Sequence, residues 1–561
     1  MPAPSDFASP SSASHPTASP SSTTPAPLAF TVWLLAAANL LLHILTAPRY
    51  GPHGDEMYYL ACSHHLAAGY VDIPPLLPLI AFFVRHILGT SLIALRFLPA
   101  LAAAALTVAT AALARAMGAG RWAQSIAALA ICAAPVLLIE GHWLTMNAFE
   151  PLLWTLASLA TVLALGSASS ISSADAEGFF ARPPQPRCWL AVGAIAGLGM
   201  LNKYTMALWI AGLLLGLLLT AHRRALLLPL FYAGAALGLL IFLPNLLWLI
   251  RNHFPFLAHE RNIRSIAAPG HGPILFLIVQ VLVLNPVLLP LWIAGLTWLL
   301  FSSSGRRFRP LGWIFLLTLG TILALRGRDY YTAPAYPAAF AAGAIALRYW
   351  FAARRSLTAR TLRIAYPAVA LLSAAVLAPI VLPVLPLPAY SNYAAALGRL
   401  VPGHVRKPGE SRIPTYFQDE FGWEALASQV ASIYHSLPAQ EQPGTAILSL
   451  NYLNASAIDY YSAQYQLPHA ISGDLAFFAW GPRPDFQSED SGPAFSGKSV
   501  ILLGGDLAWA RQRWRSVQVV GRIDAPEPRQ HFDILLCRDP IQPLSAMWPH
   551  MCLANKTAPY C

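Results

Sequence analysis

Charge is scarce in this chain. Only 11% of its 561 residues are Asp, Glu, Lys or Arg, against 56% hydrophobic, and that much apolar surface does not fit inside one water-soluble core. Lipid is therefore the expected solvent for most of it. Neither a GxGxxG fingerprint nor a P-loop is present, so a nucleotide site has no support. The six cysteines (Cys62, Cys132, Cys188, Cys537, Cys552, Cys561) lack the CxxC spacing of a zinc site and the density of a disulfide scaffold. The three nearest the C-terminus leave room for one disulfide if that part faces an oxidising compartment. There is no internal repeat of the kind many secondary transporters carry. Residues 1–27 lack the positive n-region of a signal peptide; mostly Ser, Pro, Ala and Thr, they read as a disordered tail.

What charge there is follows a pattern. The net charge of +11 sits in short basic clusters between apolar runs, which argues for cytoplasmic loops of a membrane protein and against a nucleic-acid partner. About eleven apolar segments are long enough to be read as spans of a roughly 30 Å bilayer: 28–47, 91–114, 122–140, 148–166, 188–201, 205–221, 225–248, 273–299, 312–325, 333–351 and 365–388. The runs 188–201 and 205–221 also read as one bent helix, but two passes keep the charge alternation. With the N-terminus inside, Arg115 and Arg121, Arg182 and Arg187, Arg223 and Arg224, Arg306 to Arg309, and Arg354 to Arg363 all fall on the cytoplasmic side. The segment 48–90, the turn 141–147, Lys203, the stretch 251–272, Arg326 to Tyr331 and everything after 389 then lie outside. The segment 48–90 alternates polar and apolar residues and predicts one or two helices at the interface. After 389 the composition becomes that of a soluble protein, with helices expected at 423–437 and 455–465 and strands at 445–450, 498–503 and 532–537, a small α/β domain.

The candidate chemistry lies on the outer side. In RYGPHGDEMYYLACSHH (49–65), Asp55 and Glu56 are adjacent carboxylates on a segment able to begin a helix after Gly54. Asp55, Tyr58, Tyr59 and Cys62 share one face of that helix; Glu56 and Leu60 share the next. Capping alone accounts for both acids, Asp55 as the cap and Glu56 at the positive end. Lys203, Arg326 and Arg328 reach the outer face beside apolar segments, as phosphate ligands or as snorkelling cations. Glu150 precedes Pro151 in a run that reads as a buried helix, and is either a second acid of the site or a first-turn acid. Tyr330 and Tyr331, beside Asp329, stack on a sugar or anchor a helix at the interface. His53, His64, His65 and His142 raise a metal as an alternative, but adjacent His64 and His65 diverge on a helix, and no cofactor is expected. Asn454-Ala-Ser456 and Asn555-Lys-Thr557 match the glycosylation pattern by chance.

GDEMYYL (54–60), GYVDIPPLLPLI (69–80), HWLTMNAFEPLLW (142–154), AGLGMLNKYTMAL (196–208) and RGRDYYTAPAYPAAFAAGA (326–344), in that order, resemble bacterial glycosyltransferase family 39, within the protein mannosyltransferase and aminoarabinose transferase superfamily. The resemblance covers roughly 28–350. It implies an all-α polytopic membrane domain of the GT-C type, here followed by the soluble α/β domain. It also implies inverting transfer of a sugar from a polyprenyl-phosphate carrier to an acceptor on the outer face of the bacterial inner membrane. By that resemblance Asp55 is the general base and Glu56 orients it or the acceptor. Lys203, Arg326 and Arg328 stabilise the leaving phosphate, with Tyr58, Tyr59, Glu150, Tyr330 and Tyr331 around the substrate. Two positions depart from the pattern. Asp72-Ile73-Pro74-Pro75 stands where the aminoarabinose branch has a lysine before its proline, and Asn147 and Glu150 stand where the superfamily often has an aspartate. Beside the donor, membrane lipids and an unknown glycan, lipid or protein acceptor are the expected partners. The rival reading is a transporter or lipid flippase using the same charges for a pathway.

Overall fold

A computed structural model of the chain describes residues 27–551 except 167, 174–175, 182, 267–271, 355, 399–412, 483–494, 496 and 525–530. All eleven apolar segments are helical, singly or as bent pairs. Helix α1 is Phe30–Thr46, α2 Gly54–His64, α3 Leu76–Ile87, α4 Leu92–Ala116, α5 Arg121–Ala133, α6 Pro135–Glu140, α7 Met146–Leu165, α8 Cys188–Asn202, α9 Met206–Leu218 and α10 Pro229–Arg251. Then follow α11 Pro255–Ile266, α12 Pro273–Val283, α13 Leu289–Phe301, α14 Arg309–Ala324, α15 Tyr336–Ala352, α16 Leu357–Val381 and α17 Leu387–Gly398. Strands β1 (Ala168–Ser173) and β2 (Ala176–Ala181) form an antiparallel hairpin between α7 and α8. By length and composition five helices qualify as membrane spans, or seven if each of two bent pairs is one span, with Phe30–Thr46, Leu76–Ile87 and Cys188–Asn202 shorter. The expected count of eleven is not reached by that measure, because several segments break into helices too short to cross alone.

The breaks have local causes. Pro286 cannot continue α12, and Asn285 before it takes φ 81°. The Asn285 amide donates to the Ala133 carbonyl and the Ser373 hydroxyl, so the 97° bend is tied to two neighbouring segments. Lys203 is extended between α8 and α9, which separates 188–201 from 205–221 as two helices. Close packing comes from glycine. On α8 Gly193 and Gly197, and on α10 Gly234 and Gly238, face each other so closely that a Cβ on Gly193 would lie 1.8 Å from the Gly234 carbonyl oxygen. This spacing of small residues lets two backbones meet where lipid offers no hydrophobic drive to join helices.

The segment 48–90 forms two helices, α2 and α3, as expected. Both share a buried core with the C-terminal region. That region contains α18 Thr415–Gln418, α19 Trp423–Ser436, α20 Tyr452–Tyr465 and α21 Leu475–Trp480. Its sheet has the order β4-β3-β5-β7-β6, with β3 Thr445–Ser449, β4 Ala470–Ser472, β5 Ser499–Leu503, β6 Trp514–Asp524 and β7 His531–Pro540. Strand β3 runs parallel to β4 and β5, while β7 is antiparallel to β5 and β6. Strands β4 and β6 escape the sequence reading: β4 is three residues long, and β6 carries Arg515, Ser516, Gln518 and Arg522 on an edge. Met57, Tyr58, Leu77 and Val84 share one buried core with Leu426, Val430, Ile447 and Ile458. The C-terminal region is therefore fused to α2 and α3 through one apolar core. Asn454 and Ser456 are buried in α20, so that glycosylation pattern is a chance match; Asn555 and Thr557 lie outside the described residues. The disulfide considered among Cys537, Cys552 and Cys561 also falls partly outside them, with Cys537 buried and unbridged.

Candidate active site

Helix α2 decides where its two acids go. The cap is His53, whose Nδ1 accepts from the Asp55 backbone N–H at 3.2 Å, while Glu56 Oε2 accepts from the His53 N–H at 2.9 Å. This reciprocal pair is a capping box, so neither the Asp55 side chain nor its charge is spent on the helix end. Glu56 is fully buried. It accepts from the Leu144 N–H at 2.9 Å and from Arg96 of α4, with Nη2–Oε2 at 2.9 Å. Burial works against its charge, but the Arg96 guanidinium and the backbone donors hold its carboxyl below the usual range. Glu56, expected to orient Asp55 or the acceptor, has its oxygens occupied by these buried donors.

Arg96 gathers more. It donates to the carbonyls of Ala47 and Gly51, lies 3.2 Å from His142 Nε2, and reaches Glu420 Oε2 at 3.2 Å. Glu420, whose other oxygen accepts from the Trp143 indole, is pushed up to about 8 by burial, with Glu56 adding to the shift against Arg96. One guanidinium already balanced by Glu56 compensates little of the second carboxyl's burial, which favours its protonated form.

Asp55 is placed differently. It is half-buried, and its Oδ1 accepts from the hydroxyl of Tyr452, the first residue of α20, at 3.1 Å. The Tyr452 ring meets the Tyr58 ring edge-on at 5.0 Å. Tyr58 in turn donates to Asp72 Oδ1 at 2.7 Å and accepts from the Ala476 N–H. Tyr59, also buried, lies where the charges of Asp55 and Asp72 push its phenol upward after burial. Burial raises the Asp72 carboxyl, and burial raises Asp474, whose Oδ2 accepts from the Tyr452 N–H, to about 6.

Lys203 forms the second group. Its ammonium donates to Asn147 at 2.7 Å and to Glu150 at 2.8 Å, and lies 4.5 Å from the Tyr331 ring and 5.9 Å from that of Tyr330. Thr205 also donates to Glu150. An ammonium has three N–H donors, and among the described residues two of them are engaged. The structure thus brings together Lys203, Glu150, Tyr330 and Tyr331 from three separate motifs. Arg326, with φ 50°, and Arg328 are exposed at the entry to the 329–335 turn, with no ion pair to that group among the described residues.

Two bridges connect the groups. The 144–150 segment supplies Leu144 to Glu56, and Met146 and Asn147 to Asn202 and Lys203. From the other side Asn245 of α10 donates to Ala68 and accepts from Tyr204, whose neighbour is Lys203. Of the histidines weighed for a metal, His53 is the cap, His142 sits beside Arg96 and His65 stacks on Trp480 at 4.2 Å. Among the described residues no group of three metal-binding side chains converges.

Sequence reasoning missed Arg96, Glu420 and Tyr452, and met Asp72 only as a departure. Arg96 carried a signal, since an arginine within a 25-residue apolar helix needs a partner.

The comparisons agree with this architecture. The family model described as dolichyl-phosphate-mannose-protein mannosyltransferase matches residues 177–248. The crystal structure of ArnT from Cupriavidus metallidurans bound to undecaprenyl phosphate superposes with a TM-score of 0.58 at 17% identity, covering 91% of this chain and 98% of that one. The chain has the GT-C fold of that structure. The apo structure of the same ArnT gives 0.55 at 17% identity, covering 90% and 97%. No curated protein matches in sequence.

Proposed function

We propose that this protein is an inverting glycosyltransferase that moves a sugar from a polyprenyl-phosphate carrier to an acceptor on the outer face of the bacterial inner membrane, where the C-terminal region also lies. The observation that carries the reading is the division of labour in the Asp55-Glu56 pair. Glu56 is consumed by four donors, whereas Asp55, beside it, keeps a half-open carboxylate accepting one. The ArnT structure with undecaprenyl phosphate supports a polyprenyl-linked donor.

In the proposed step the acceptor hydroxyl oxygen attacks the anomeric carbon from the face opposite the phosphate, and its proton passes to Asp55. The bond from that carbon to the phosphate oxygen breaks, its electron pair leaves with the phosphate, and the configuration inverts. Lys203 offers its remaining N–H to the departing charge, held in place by Glu150 and Asn147 and backed by Tyr331. Arg326 and Arg328, exposed near Tyr330, meet the donor's phosphate as it enters from the membrane surface. Tyr58 and Tyr59 line the Asp55 side. Glu56 acts through α2, whose start it fixes and on which Asp55 stands.

The test is transfer of radiolabelled sugar from a panel of polyprenyl-phosphate sugars by purified protein and by Asp55→Asn. Turnover by the wild type, lost in the amide variant with donor binding retained, supports the base and identifies the sugar. Donor binding by both proteins with no transfer to any membrane-extract acceptor, together with donor movement across vesicle bilayers, would instead indicate a flippase.

A further inference from the structure

Helix α20 begins in contact with the outer loop. Its cap is local: Asn451 Oδ1 accepts from the Leu453 N–H at 2.7 Å, and the Ser449 hydroxyl donates to the Asn451 carbonyl. Tyr452 follows, fixed at its backbone by Asp474 and at its ring by Tyr58. Both anchors are themselves held, Tyr58 by Asp72 and Ala476, Asp474 by its place after β4. A phenol held on two sides and donating to a half-open carboxylate is a fixed donor, not a wandering surface contact. It enters from 397 residues away in sequence.

We propose that Tyr452 is a positioning residue for Asp55, so that the C-terminal region completes the active site rather than only covering it. The proposal rests on the reading of Asp55 as general base. A hydrogen bond to one carboxylate oxygen favours the ionised form that accepts a proton, and orients the second oxygen toward the acceptor. The other titratable groups around Asp55 are Tyr59 on its own helix, Asp72 on the outer loop, and Asp474 beside Tyr452, with His259 of α11 acting on both Asp72 and Asp474. Of these groups it is Tyr452 whose hydroxyl donates to the Asp55 carboxylate.

The test needs no identified substrate. A water-soluble carbodiimide labels protonated carboxyls, so the pH midpoint of Asp55 labelling, read by peptide mass spectrometry on the full chain in detergent, reports the donor directly. Tyr452→Phe keeps the ring and removes only the hydroxyl; the midpoint is expected to rise by about 0.5–1 pH unit. Tyr460→Phe is the control. Tyr460, on the same helix, donates to the Thr90 carbonyl at 3.0 Å, so its loss removes a docking bond without touching Asp55, and the midpoint is expected to stay. With the donor found in the panel, Tyr452→Phe should lower kcat about 3- to 30-fold at unchanged KM and move the acid limb of the rate profile upward. A midpoint unchanged in Tyr452→Phe, or moved equally by Tyr460→Phe, overturns the proposal. An inactive Asp55→Asn with an unchanged Tyr452→Phe refutes the positioning role alone; an active Asp55→Asn removes the base and this role with it.

Discussion

Asp55 and Glu56 are adjacent in sequence and opposite in situation. Glu56 has no exposure and is bonded to a guanidinium and two backbone N–H groups; Asp55 is half-open and takes one phenol. One turn of helix, rotated by about 100° per residue, is enough to send one acid into the protein and the other to a surface. The contrast teaches that a paired-acid motif is two sites. A charge with every lone pair satisfied holds architecture, and one with lone pairs to spare is available to chemistry.

Exchanging either acid for its amide should separate the roles most widely. Asp55→Asn is expected to reduce transfer by about 10²- to 10⁴-fold while the thermal midpoint barely moves. Glu56→Gln should do the reverse in kind: it strands the buried Arg96 beside a single carboxyl, and the loss of folded protein in detergent is the measurement. Removing the cation is the sharper form of that test. Arg96→Met leaves the Glu56 carboxylate buried without a counter-charge, at a cost of about 3–5 kcal/mol, seen as a lowered unfolding midpoint or failure to purify. Equal loss of stability in Asp55→Asn would erase the comparison.

Lys203→Met comes next. It removes the free donor and the partner of Glu150, so donor affinity should weaken by about 10- to 100-fold, measured by titration with a polyprenyl-phosphate sugar. Glu420→Gln gives the smallest effect and the finest. Because the folded protein holds the Glu420 carboxyl at about 8, well above its free value, its contribution to stability is complete below about pH 4.5 and is lost as pH rises through about 8. The wild-type thermal midpoint should therefore fall between about pH 4.5 and about pH 8, and the glutamine variant should lose that fall.

How much of this was legible follows from distance along the chain. The helices of the membrane part, the two helices within 48–90, and α19, α20, β3, β5 and β7 are written in local periodicity and composition. The gathering of Lys203, Glu150, Tyr330 and Tyr331 came from motif resemblance, since nothing local ties residue 150 to 203 or 331. What stayed hidden was tertiary. Glu56 meets Arg96 across 40 residues and Arg96 meets Glu420 across 324, and no period or spacing encodes either. Capping was the competing account of Asp55, and it failed because His53, a residue type outside the usual capping set, does that work.

The Arg96 junction also has an order in time. A ribosome makes α4 long before residue 420, so for several hundred residues of synthesis the guanidinium has only Glu56 and nearby carbonyls to meet, which already balance its charge. Glu420 then enters an occupied, electrically closed pocket whose burial favours its taking up a proton on the way in. The last third of the chain can thus be seated on a finished membrane part late, and without reopening it.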